Sequence, residues 1–219
     1  MRFADRHDAG RRLADRLVGE PLHDPVVLAL PRGGVPVAYE VAVALEAPLE
    51  VIVARKVGAP TQPELGIGAV AEGGEPIFDE GLLSRLGLDT EALDRLVARE
   101  RVELERRVGH YRPGRSLPTL AGRDVLLVDD GLATGVTARA ALRALRAHAP
   151  RRVVLAVPVG APESVAALAT EADEVICLHA PRGFAAVGQW YRDFGQTDDA
   201  TVVELLDRAR SRPGLTDPR

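Results

Sequence analysis

Residues 125–137 constrain this chain more than any other stretch. Val125-Leu126-Leu127-Val128 is an uninterrupted apolar run with two β-branched residues, the pattern of a strand buried on both faces. It empties into paired carboxylates, Asp129-Asp130, and then into Gly131-Leu132-Ala133-Thr134-Gly135-Val136-Thr137. Ala138 to Arg146 follows as a strong helix former. A strand, an acidic pair, a Gly/Thr loop and a helix start together predict an anion site with acceptors beside it. Backbone amides at the helix start, aided by its dipole, can hold a phosphate. Gly131 and Gly135 permit close backbone approach, Thr134 and Thr137 add hydroxyl donors, and Thr137 is a candidate N-cap. Ionised, Asp129 and Asp130 suit the vicinal hydroxyls of a sugar or Mg²⁺ with its waters. Their strand supplies no cation and Arg123 lies too far back to be a local partner, so both are expected to be free for ligand.

The same grammar occurs earlier. Asp8 to Val18 has helical spacing, and Val26 to Leu30 is an apolar run that leads into Pro31-Arg32-Gly33-Gly34 and a helix from Val35 to Leu45. Arg32 stands at a strand exit, where parallel sheets place their ligands. Glu50 to Ala54 predicts one further strand, ending in Arg55-Lys56. From Val57 to Glu75 the glycines and prolines predict a loop, with a small hairpin between 67–70 and 76–78. Asp89 opens a charged helix to Tyr111, with Leu93, Val97, Leu104, Val108 and Tyr111 on one face and Glu91/Arg95 and Glu103/Arg107 as i,i+4 pairs. After residue 137, strands at 153–157 and 174–178 flank a helix at 162–168, and a helix at 199–210 closes the pattern before a tail expected to fray from Ser211. This alternation predicts an α/β fold: a doubly wound, mainly parallel sheet in a single domain, with a hood or cap insertion at about 57–116.

Residues 125–137 resemble the 5-phosphoribosyl pyrophosphate (PRPP) signature of type I phosphoribosyltransferases, an apolar strand with two acidic residues and a loop close to Thr-Thr-Gly-x-Thr. Ala133 stands where many members carry a hydroxyl. Pro31-Arg32-Gly33-Gly34 resembles the family's pyrophosphate loop, and Arg55-Lys56 its basic third-strand exit. The overall pattern is similar to an uncharacterised bacterial branch whose acceptors are not established.

The resemblance implies transfer of a 5-phosphoribosyl group from PRPP to a nitrogen nucleophile, with pyrophosphate released and Mg²⁺ as cofactor. It places PRPP on Arg32, Gly33, Gly34, Lys56 and residues 129–137, with Arg32, Asp129 and Asp130 catalytic and the two carboxylates serving Mg²⁺ directly or through water. Residues after the last strand often stack on the acceptor in this family, which makes Phe184, Trp190 and Tyr191 candidates. A PRPP-sensing regulator and a hydrolase of a phosphoribosylated compound are the alternatives.

Composition narrows the partners. A net charge of −4 and the lack of a basic helix or helix-turn-helix pattern give no case for nucleic acid. No apolar run is long enough to span a bilayer and residues 1–8 carry no leader-like apolar stretch, so a cytoplasmic protein without membrane partners is expected, with a homodimer as the candidate assembly. Cys177 is the single cysteine and is expected to be a packing residue. The five histidines show no metal-ligand spacing, so zinc is not expected.

Overall fold

The computed structural model describes residues 2–212, so the expected frayed tail from 213 onward lies outside the described residues. The chain opens with α1 (Arg6–Leu17), capped by Asp5, whose carboxylate accepts from the Asp8 amide at 2.7 Å. β1 (Val26–Ala29), α2 (Gly34–Leu45) and β2 (Leu49–Val51) form a parallel βαβ unit, with Val27 opposite Leu49. The run expected as one strand over 50–54 is divided. β2 ends at Val51, and after Ile52 and Val53 the chain enters β3 (Ala54–Ala59) of a second, antiparallel sheet.

The stretch expected as loop is largely strand. β3 turns through Pro60 and Thr61 into β4 (Gln62–Ala71), with Ala59 opposite Gln62. Glycine here marks close contact rather than missing structure: a β-carbon on Gly66 would fall 2.1 Å from Lys56 Cε. The small hairpin is present, β4 pairing with β5 (Ile77–Phe78) through Ala69 and Ile77. A short helix that the apolar spacing does not announce, α3 (Glu80–Leu86), precedes α4 (Thr90–Tyr111). Val97 of α4 packs with Val57, Ala59 and Ile67 of the second sheet, whereas Leu104 and Tyr111 join the main core. α4 is therefore a strut between the two sheets, with both expected ion pairs formed on its outer faces.

β6 (Asp124–Val128), α5 (Val136–Arg146), β7 (Arg152–Val159), α6 (Pro162–Leu168), β8 (Glu174–His179) and α7 (Asp199–Arg210) complete the alternation. The main sheet is parallel throughout, in the order β2-β1-β6-β7-β8. Its strands read as continuous apolar runs because successive residues serve opposite cores. Val27, Ala29, Leu126, Val128, Val154 and Ala156 pack under α1, α2 and α7, and Val26, Leu28, Val125, Leu127, Val153 and Leu155 under α5 and β4. The doubly wound α/β architecture is thus present, with the β3-β4-β5 sheet as a hood. The chain leaves β1 toward β2 but leaves β6 toward β7, so the direction of winding reverses between β1 and β6. Open α/β sheets bind ligands beyond the strand ends at such a reversal.

Candidate active site

Residues 30–34 and 129–137 meet at that reversal. The Leu30 amide donates to the Val128 carbonyl at 2.9 Å, carrying the β1–β6 pairing to the lip of the sheet. Beyond it, two glycines let the loops touch. A β-carbon on Gly33 would sit 2.0 Å from Asp130 Oδ2, and one on Gly34 would sit 2.8 Å from the Val128 carbonyl oxygen. Arg32 follows a cis Pro31–Arg32 peptide and approaches Asp199, at the start of α7, to 3.7 Å; Asp199 in turn accepts from the Tyr111 hydroxyl at 2.5 Å.

The acidic pair is not free, contrary to expectation. Asp130 Oδ2 accepts from Arg6 Nε at 2.7 Å, and the two side chains are only 15% and 11% exposed. Arg6 also donates from Nη1 to the Gly195 carbonyl at 2.7 Å, and its guanidinium lies 3.9 Å over the Phe194 ring. The partner comes from the first turn of α1, 124 residues away, which is why the neighbouring sequence showed none. Asp129 Oδ1 accepts from the Asp130 amide at 2.8 Å. Asp129 Oδ2 and Asp130 Oδ1 accept from no other described residue. Burial pushes the Asp129 carboxyl well above the usual carboxylate range, and the adjoining Asp130 charge adds to the rise. Burial raises Asp130 as well, with the Arg6 guanidinium opposing it.

The loop after the pair is anchored by Leu132, whose amide donates to the Val159 carbonyl at 2.9 Å and whose carbonyl accepts from the Ala161 amide at 2.8 Å. Gly131 is buried against Val187, while Ala133 and Thr134 are exposed. The Ser164 hydroxyl donates to the Ala133 carbonyl at 2.6 Å. Gly135, not Thr137, is the N-cap of α5: it takes φ +68°, and Val136 and Thr137 fall inside the first turn. A left-handed cap favours glycine, which displaces the hydroxyl residue from that role. The first-turn amides of α5 have no intrahelical acceptor and carry the positive end of the dipole.

Lys56 reaches the site from the hood. It lines a cleft of about 620 Å³ shared with Thr134, Val136 and Arg139, and its Nζ donates to the Glu64 carbonyl at 3.0 Å. Arg55 is instead engaged by Glu100 at 2.9 Å.

The aromatic group after β8 braces the acidic pair from below. Tyr191 is 1% exposed, packs between Phe3 and Phe194, and donates its hydroxyl to the Asp130 carbonyl at 2.6 Å. Tyr191, a candidate for stacking on an acceptor, is thus buried among aromatic neighbours, with its hydroxyl engaged by the protein. Phe184 is partly buried against the same cluster, and Trp190 stands edge-on to His179 at 4.8 Å. Cys177 is half-buried, with its thiol on the His179 carbonyl and raised in pKa by burial.

Residues 4–188 match the family profile described as the phosphoribosyl transferase domain. The chain belongs to that family. Two Mycobacterium tuberculosis proteins, from different strains, each named provisionally as a phosphoribosyl transferase, are 51% identical to it over 207 residues. That match takes in 94% of this chain but 47% of theirs, so the chain spans about half the length of these curated relatives. The crystal structure of the protein TT1426 from Thermus thermophilus is similar at 50% identity with a TM-score of 0.80, covering 94% of this chain and 98% of that one. The phosphoribosyl transferase fold accounts for the mainly parallel sheet, with the antiparallel sheet in the position of a hood. Among the described residues no helix is long and apolar enough to cross a membrane.

Proposed function

We propose that this family member transfers the 5-phosphoribosyl group of PRPP to a nitrogen nucleophile. The observation that carries the reading is the convergence of three elements at one sheet edge: the Arg32-Gly33-Gly34 loop, the Asp129-Asp130 pair, and the amide-lined start of α5. The nucleophile's lone pair forms the new bond to C1. The bond from C1 to the pyrophosphate oxygen breaks, its electron pair leaves with pyrophosphate, and the anomeric centre inverts. The acceptor's N–H proton passes to a carboxylate or to water.

Each element then has a task. Loop 131–137 holds the 5-phosphate, using binding energy remote from the reacting bond. Asp129 and Asp130 orient the ribose through its hydroxyls as C1 gains positive charge. Arg32 and the Gly33 and Gly34 backbone serve the departing pyrophosphate, and Lys56, which shares a cleft with Thr134 and Val136, supplies positive charge to the bound PRPP from the hood. The two carboxylate oxygens without partners among the described residues fit Mg²⁺ that keeps waters and substrate oxygens, whereas no group of three or more potential ligands occurs among those residues. When bound, Mg²⁺ neutralises charge on the pyrophosphate. Phe184 and Trp190 are the remaining candidates for stacking on the acceptor.

Incubation with PRPP, Mg²⁺ and a panel of nucleobases and other amines, with products identified by mass, tests this reading. It expects a phosphoribosylated product with one acceptor class. Tight PRPP binding without product from any acceptor would favour a PRPP sensor, and PRPP-independent release of ribose 5-phosphate from a phosphoribosylated compound would favour a hydrolase.

A further inference from the structure

We infer that Arg6 is a positioning residue of the active site: it fixes the Asp130 carboxylate for the ribose and ties it to the segment 190–195 that follows the last strand. The inference rests on the transferase reading above. Four observations carry it. First, the four oxygens of the acidic pair are divided two and two. Asp129 Oδ1 is taken by the Asp130 amide and Asp130 Oδ2 by Arg6 Nε at 2.7 Å, so one oxygen of each carboxylate is locked and the other is offered. Second, the guanidinium is itself fixed at another corner, Nη1 donating to the Gly195 carbonyl at 2.7 Å, with the Phe194 ring 3.9 Å beneath. A planar fork held at two nitrogens and one face aims its partner far better than a flexible ammonium would.

Third, Arg6 sits at the contact of both site loops. A β-carbon on Gly33 would meet Arg6 Nε at 3.2 Å as well as the Asp130 carboxylate, so the cation occupies the seam between residues 31–34 and the acidic pair. Fourth, the surrounding chain holds this seam independently of Arg6. The Arg192 and Asp193 amides donate to the Phe3 and Ala4 carbonyls at 2.8 and 2.9 Å, and the Tyr191 hydroxyl secures the Asp130 main chain. Loss of the guanidinium should therefore free the Asp130 side chain while leaving its backbone in place.

A role through Asp130 has a signature that a merely structural role lacks. The effect of removing Arg6 must vanish once the Asp130 charge is gone. The test is a double-mutant cycle on the full chain with Arg6→Met, Asp130→Asn and the double variant, reading the affinities of ribose 5-phosphate and of metal-free pyrophosphate by calorimetry. Arg6→Met should weaken ribose 5-phosphate about tenfold, a shift of about 1.4 kcal/mol, and leave pyrophosphate within about twofold, with no further loss in the Asp130→Asn background. If Arg6→Met does not fold, Arg6→Lys enters the same cycle, keeping the charge but not the two-point fork, with a smaller loss that again disappears in Asp130→Asn. Equal losses in both backgrounds, or none in the wild-type background, would overturn the inference. Wild-type protein that binds neither PRPP nor ribose 5-phosphate would instead overturn the transferase reading.

Discussion

Gly33 and Asp130 are packed so closely that a single β-carbon on the glycine would come within 2.0 Å of Oδ2. The pyrophosphate-loop candidate and the ribose-side candidate are thus one surface, joined where β1 and β6 end. The atoms in the way belong to a side chain, so the Asp130 carboxylate gives way by leaving Arg6 while the backbone stays in place. Gly33→Ala should lower PRPP affinity tenfold or more by displacing Asp130, at a smaller cost in stability than a clash with backbone. Gly34→Ala differs, because its β-carbon would meet Val128 and Asp129 backbone at 2.8 and 3.0 Å. That variant should lose about 1–3 kcal/mol of stability. Calorimetric PRPP titration and thermal melts separate the two; equal profiles would contradict the placement of the loops.

Gly135 combines φ +68° with a β-carbon position 2.8 Å from Leu168 Cδ1. Gly135→Val should therefore abolish binding of ribose 5-phosphate at the α5 start and also lower stability by about 1–3 kcal/mol. Retained affinity in the folded variant would sink the phosphate-loop assignment.

Asp124 opens β6 fully buried, accepting from Arg151 Nε at 2.7 Å and from the His23 amide at 2.9 Å. Burial pushes its carboxyl up, but the Arg151 and His23 hydrogen bonds outweigh this and hold it below the ordinary 3.8. A carboxyl depressed on folding stabilises the fold above its unfolded value, and the contribution fades as pH falls through the folded one. Asp124→Asn should cost about 1–2 kcal/mol at neutral pH, because the Arg151 guanidinium is half exposed and screened by water. The gap in Tm from wild type should narrow below about pH 4. A gap constant with pH would contradict the ion-pair origin.

What could be read in advance was local. β1 and β6 announce themselves because both their faces are buried, and residues 129–137 carry their chemistry within one strand-to-helix turn. The hood was hidden because Gly66, within β4, is glycine for contact with Lys56, and composition cannot tell that from a loop. Arg6 was hidden for a different reason: it lies on a helix whose apolar spacing explains it fully, and only the tertiary fold brings it to Asp130. Asp199 beside Arg32 is a similar case, being read as the start of a closing helix. Long-range charge pairs leave no periodicity, so the site's ligand-facing loops were visible and their supports were not.

Acceptor-dependent pyrophosphate release decides whether the Asp129-Asp130 edge is a transferase centre. Wild type should release pyrophosphate from PRPP with Mg²⁺ only when the right acceptor is present. Asp129→Asn and Asp130→Asn should each lose at least about tenfold in kcat/KM, since ribose orientation matters most as C1 becomes positive. Turnover in both variants equal to wild type would contradict the assignment of the pair, and tight PRPP binding with no release for any acceptor would contradict the transferase itself.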